Sequence, residues 1–248
     1  MFKKKEKFII ESTPQRFNII DEDIKSVANH INNGIDDGLS MKEVKILLEW
    51  LVENARHDIE NIIDESINTN SCKGFCGFAQ LSAIMPVTNC NITVTANNTD
   101  KFSNSLIRHH FVTIILPTKE NDKIVNKWYL IDPTYRQFFE KNSCKGKNKL
   151  TSPGYFMLET NETLKLAKQL LKNGYIELTD DNLKMYSNGF ICASGHNKNN
   201  IDVEKLKDSI LNNQENIDCS REESLKFGCN PFFPHVKYED KIKDNKER

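Results

Sequence analysis

The residues of this chain best suited to chemistry are a cysteine between glycines, two adjacent histidines opening an apolar run, and an aspartate closing the next run. They are Cys76 in Gly74-Phe75-Cys76-Gly77-Phe78-Ala79, His109-His110 ahead of Phe111-Val112-Thr113-Ile114-Ile115-Leu116, and Asp132 in Trp128-Tyr129-Leu130-Ile131-Asp132-Pro133-Thr134. A thiol attacks as the thiolate, and an ordinary cysteine, with a pKa of about 8.5, is mostly protonated at neutral pH. A helix N-terminus and a facing imidazolium each stabilise the thiolate. A carboxylate on the far side of the imidazole fixes its orientation and stabilises its charge. Together these groups suit acyl transfer through a covalent thioester.

The elements that must position them are legible. Ser40 stands three residues before Glu43, the spacing of a capping box, and opens an apolar series of Val44, Leu47, Leu48, Leu51 and Ala55 that predicts a helix over 41–56. Ile59, Ile62, Ile63 and Ile67 continue as a shorter helical pattern, whereas residues 1–38 read as mixed and polar. Ala79, Leu81, Ala83 and Ile84 suit a short buried helix that starts at Cys76 and ends at Pro86. Gly74 and Gly77 permit a tight turn into it, and Gly77 is a candidate for contact with the oxyanion or the substrate.

Strands are expected at 91–95, at 109–116 with Pro117 as a stop, and at 127–131. The turn-rich Lys119-Glu120-Asn121-Asp122 favours an antiparallel hairpin, which sets the start of one strand beside the end of the next. Neighbouring residues of a strand point to opposite faces, so only one of His109 and His110 can face the thiol. Further helices are expected at 160–172, stopped by Gly174, then after Thr179 or Asp180 with Leu183 and Tyr186, and at 202–212. Helices segregated from an antiparallel sheet predict an α+β fold. One domain over 1–248 is expected: an N-terminal helical part (1–70), a core (71–140), a helical C-terminal part (141–235) and a flexible tail (236–248).

These segments resemble the transglutaminase-like, papain-related cysteine hydrolases. Gly74-Phe75-Cys76-Gly77-Phe78-Ala79 is similar to that family's Gly two before the nucleophile and Ala three after it. His109-His110-Phe111-Val112 resembles its His-x-aromatic-Val strand, which selects His109 and leaves His110 as the alternate. Trp128 to Thr134 resembles its Trp-x-x-x-Asp-Pro-Thr strand, with Asp132 as the orienting acid. The three matches keep the family's order over roughly 70–140.

The resemblance implies a nucleophile at the N-terminus of a buried helix packed on an antiparallel sheet, and the triad Cys76, His109 and Asp132. It further implies amide hydrolysis on a protein substrate without a cofactor, with a bacterial toxin-type or effector-type glutamine deamidase as the favoured form. A thiol protease, a crosslinker or a non-catalytic binding module on the same scaffold remain open. Gly77 stands where crosslinkers often carry an aromatic, and no segment resembles a calcium loop.

Other residues carry a weaker signal. Cys72, four residues before Cys76, is an alternate nucleophile or a disulfide partner, though a loop cysteine without a role is the simpler reading. Arg136 and Gln137 follow the acid and are candidates for substrate contact. Cys192, Cys219, Cys229 and His235 lack the close cysteine pairs of a structural zinc site, so no metal is expected.

The bulk properties exclude some classes. With 34 Lys+Arg against 35 Asp+Glu, the chain lacks the positive excess that phosphate neutralisation demands, which argues against nucleic acid. Seven cysteines without a regular framework point to a reducing compartment. Phe8-Ile9-Ile10 is too short for a signal-peptide core, and no run suits a membrane helix. A cytoplasmic location in the producing cell is expected, with transfer into a host cell without a cleavable signal as the other route.

Overall fold

The computed structural model describes residues 9–10, 21–63, 76–87, 90, 92–99, 109–135, 161–193, 202–211 and 236–237. The chain begins with a two-residue strand, β1 (Ile9–Ile10), and two helices, α1 (Asp21–Asn33) and α2 (Met41–Ile63). The capping box forms as its spacing predicts: Glu43 Oε2 accepts from the Ser40 N–H at 2.8 Å, and the Glu43 N–H donates to Ser40 Oγ at 3.3 Å. From there α2 runs unbroken to Ile63, so the two helical patterns expected over 41–67 are one helix as far as it is described. Within 1–38, Ile24, Val27, Ala28 and Ile31 give α1 a buried stripe that its many polar residues mask in sequence.

A short helix, α3 (Cys76–Ile84), ends in a 3-10 turn at Met85–Val87. Three strands follow: β2 (Thr93–Asn98), β3 (His110–Glu120) and β4 (Lys123–Ile131). Then come α4 (Asn161–Asn173), the unforeseen strand β5 (Tyr175–Glu177), α5 (Asp180–Ala193) and α6 (Val203–Leu211). Thr179 caps α5 by accepting the Asn182 N–H at 3.2 Å, and Asp202 caps α6 through the Lys205 N–H at 3.1 Å. A last strand, β6 (Val236–Lys237), pairs antiparallel with β1, so these two residues of the expected tail are structured.

The four central strands form an antiparallel sheet in the order β2-β3-β4-β5. Asn121 (φ 48°) and Asp122 (φ 60°) make the two-residue hairpin turn whose backbone twist matches the flanking strands. Pro117 does not stop β3. It lies beyond Ile115, the last residue that β2 pairs with, and its carbonyl accepts the Leu39 N–H at 2.8 Å. Its ring nitrogen therefore faces a flank where no strand asks for a donor.

Helices cover both faces of the sheet, and the fold is α+β. On one face, α1, α2 and α3 bury Leu47, Leu51 and Ala83 against Val112, Ile114 and Ile131. On the other, α4, α5 and α6 bury Leu170, Tyr186 and Ile210 against Phe111, Leu130 and Ile176. Burial of such side chains, at roughly 1.5–3 kcal/mol each, is the main stabilising term. The N-terminal helices take one layer and the C-terminal helices the other.

Candidate functional site

Cys76 is the first residue of α3, where the helix dipole and unsatisfied first-turn N–H groups favour an anion. Small residues set the position of that helix. Ala79 and Ala83 are fully buried, which lets α3 press against α2 and the sheet. Gln80 Nε2 donates to the carbonyls of Asn97 (2.6 Å) and Phe111 (2.5 Å), tying the helix to β2 and β3 at once. Asn54 Nδ2 donates to the Ser82 carbonyl at 3.0 Å, and Ser82 Oγ donates to Asp58, which fasten α3 to α2.

His109 immediately precedes β3, and its backbone is held from both sides by Thr99. The His109 N–H donates to Thr99 Oγ1 at 3.0 Å and its carbonyl accepts the Thr99 N–H at 2.9 Å. Asp132 immediately follows β4. The register sets Val112 opposite Ile131, so the residue after β4 lies beside Phe111, two positions from His109 on the same face. The hairpin thus brings imidazole and carboxylate together, and His109 Nε2 lies 2.7 Å from Asp132 Oδ2. Both side chains are fully buried, at 0% exposure.

Nε2 is engaged by the acid, which leaves Nδ1 for the sulfur, and the imidazole is hydrogen-bonded to the Cys76 thiol. Cys76 itself is 8% exposed. Burial pushes its thiol up, but the hydrogen bond and charge of His109, with the main-chain N–H of His110, outweigh burial and leave the thiol below its ordinary value. Burial pulls His109 down, yet the Asp132 charge and hydrogen bond and the Cys76 sulfur carry it up to about 9. Both shifts favour the thiolate and the imidazolium over the neutral pair.

The structure therefore brings Cys76, His109 and Asp132 into one chain of contacts. His110 joins through its backbone, and its half-buried ring lies against Gly77. Gly77 does not use a left-handed conformation, and a methyl group there would meet the His110 ring at 3.7 Å, an ordinary contact. Its own backbone and surroundings thus do not demand a glycine. Gly74, Cys72, Arg136 and Gln137 lie outside the described residues, as do Cys219, Cys229 and His235. No group of His, Cys, Asp or Glu among the described residues could hold a metal ion. Among the described residues no helix is long and apolar enough to cross a membrane.

Three contributors escaped the sequence reading. Tyr186 of α5 donates its hydroxyl to Asp132 Oδ2 at 2.9 Å. Gly174 accepts the Asp132 main-chain N–H at 2.7 Å. Arg56 of α2 sends Nε to the Pro133 carbonyl at 3.4 Å. Each had an ordinary role in sequence, as an apolar helical position, a helix stop and a helix polar residue. No family model, curated protein or solved structure matches the chain.

Proposed function

We propose that the chain is a cysteine-dependent amide hydrolase built on a transglutaminase-like, papain-related core. The observation that carries this reading is the buried chain of contacts from the Cys76 thiol through His109 to Asp132, with the sulfur at the start of a helix. A structural cysteine needs no imidazolium beside it, and a structural histidine needs no thiol on its second nitrogen.

The thiolate adds to an amide carbonyl carbon, forming an S–C bond and moving the C=O pair onto oxygen. First-turn N–H groups of α3 are placed to receive that charge. Collapse restores C=O and breaks the C–N bond as the nitrogen takes the proton of His109, leaving a thioester and a free amine or ammonia. Water then gives a proton to His109 as its oxygen joins the acyl carbon. Breaking the C–S bond releases the carboxylic acid and restores thiolate and imidazolium. Asp132 holds the imidazole throughout.

Within this chemistry the family resemblance favours a protein glutamine carboxamide as substrate. The test incubates the chain with candidate proteins and follows ammonia, chain ends and intact mass. Ammonia without new ends marks deamidation, new ends mark proteolysis, and an added primary amine in the product marks transfer. All three should vanish in Cys76→Ala; activity that survives that change removes the thiol from the mechanism.

A further inference from the structure

The C-terminal helical layer contributes to the site, although every group of the proposed triad precedes it in sequence. Tyr186 of α5 is fully buried, and its ring meets Phe111 edge-on with centroids 5.3 Å apart. The Tyr135 ring lies 6.2 Å away on its other flank. This packing aims the hydroxyl at Asp132 Oδ2 at 2.9 Å, the same oxygen that lies 2.7 Å from His109 Nε2. The other oxygen, Oδ1, has Thr134 Oγ1 at 3.5 Å. Two donors thus share one carboxylate oxygen.

Resting on the hydrolase reading above, we propose that Tyr186 is a positioning residue: its phenol shares Asp132 Oδ2 with His109 and so limits how tightly the carboxylate holds the imidazolium proton. A hydroxyl that points its hydrogen at a carboxylate screens that charge from a second donor. His109 then stays acidic enough to protonate a leaving nitrogen, a step that an over-stabilised imidazolium performs poorly. Burial, followed by the Asp132 charge, holds the phenol well above its ordinary value, so it remains a donor wherever the enzyme works. The other titratable groups around the carboxylate are the Cys76 thiol from α3, His109 and His110 at the head of β3, Tyr135 after β4, and Arg56 from α2 beneath the Pro133 carbonyl. Arg56 carries a fixed charge, and Tyr135 is held protonated by burial. The phenol of Tyr186 therefore acts, through Asp132, on the proton that His109 shares with the Cys76 thiol.

The test is the rate of Cys76 alkylation by iodoacetamide against pH, with Tm read on the same samples. Tyr186→Phe keeps the ring and its packing. It should move the upper inflection of the profile upward by roughly half a unit to one unit while the neutral-pH rate stays within about twofold. Tyr186→3-fluorotyrosine, a stronger donor, should move it downward. Tyr135→Phe removes an equally buried hydroxyl from the neighbouring ring and should leave it in place. Superimposable profiles for the wild type and both Tyr186 variants overturn the inference, as does an equal shift in Tyr135→Phe. A Tyr186→Phe protein whose rate and Tm collapse together, with no shift in Tyr186→3-fluorotyrosine, reduces Tyr186 to packing. If the wild type itself titrates as an ordinary thiol, the hydrolase reading fails, and this inference with it.

Discussion

The main-chain N–H of Asp132 donates to the carbonyl of Gly174 at 2.7 Å, so the acid beside His109 is fixed by the residue that ends α4. Gly174 adopts φ +73°, and a Cβ there would lie 2.5 Å from Val52 Cγ1. The left-handed backbone and the close approach to α2 both require glycine. One small residue thus joins the two helical layers to the end of β4.

Gly174→Ala is therefore expected to destabilise the fold by about 2–4 kcal/mol, combining left-handed strain with overpacking. Urea denaturation measures the loss. Cys76 alkylation should slow as well, because the carboxylate loses its anchor; a variant as stable as wild type would refute the close packing.

Reactivity should separate Cys76 from Cys90, neither of which is in a disulfide. Cys76 and Cys90 are both buried, but only Cys76 starts a helix beside an imidazolium. In native protein, iodoacetamide should label Cys76 at least about tenfold faster than Cys90 at neutral pH. Peptide mapping after brief labelling decides this, and equal rates would remove the case for an activated thiol.

The pH dependence of stability follows from the same pair. His109 rises from 6.5 to about 9 in the fold, so its contribution is complete below 6.5 and is lost as pH climbs through about 9. Cys76 is lowered from 9.0, so its contribution is present above 9.0 and is lost as pH falls through its folded value. Between about 6.5 and 9 the two contributions change in opposite directions, the His109 one falling and the Cys76 one rising with pH, so they offset each other. The wild type should therefore lose less stability across that window than a protein without the Cys76 thiol. Cys76→Ala removes the rising contribution and keeps the part of the His109 shift that Asp132 supplies, so the variant should lose stability as pH climbs above 6.5 more steeply than the wild type. Denaturation midpoints at the two ends of the window check the difference, and parallel curves would contradict it.

Gln80→Ala should cost about 1–3 kcal/mol, since it leaves the Asn97 and Phe111 carbonyls without their shared donor. Because Gln80 lies one turn along α3 from Cys76, the alkylation rate should fall as well. Ser40→Ala is the matched comparison: it breaks a cap on α2, costs about 1 kcal/mol, and should leave the Cys76 rate unchanged.

Much of the chain was legible because local signals and tertiary structure agree. The Ser40–Glu43 cap, the hairpin turn at Asn121-Asp122, the stop at Gly174 and the Thr179 cap all form where their residue types predict. Once strands meet end to start, a histidine at the head of β3 and Asp132 must be neighbours, and the family resemblance chose His109 over His110. The misses came where context outweighs the local signal. Pro117 continues a strand because it lies past the last residue that β2 pairs with, where no strand asks its nitrogen for a donor, and the three residues of β5 are too few for a periodic pattern. Tyr186 was legible as an apolar helical position, but the aim of its hydroxyl depends on the packing of a distant helix against the sheet.

The two-layer arrangement has a consequence for the growing chain. The thiol emerges early, but the residue that pins its acid and the helices that seal the second face are made much later. A chain that stops before α4 thus lacks the Gly174 carbonyl and the Tyr186 hydroxyl that hold Asp132. Any support that Gly174 and Tyr186 give to Asp132 therefore waits until α4 and α5 have been made.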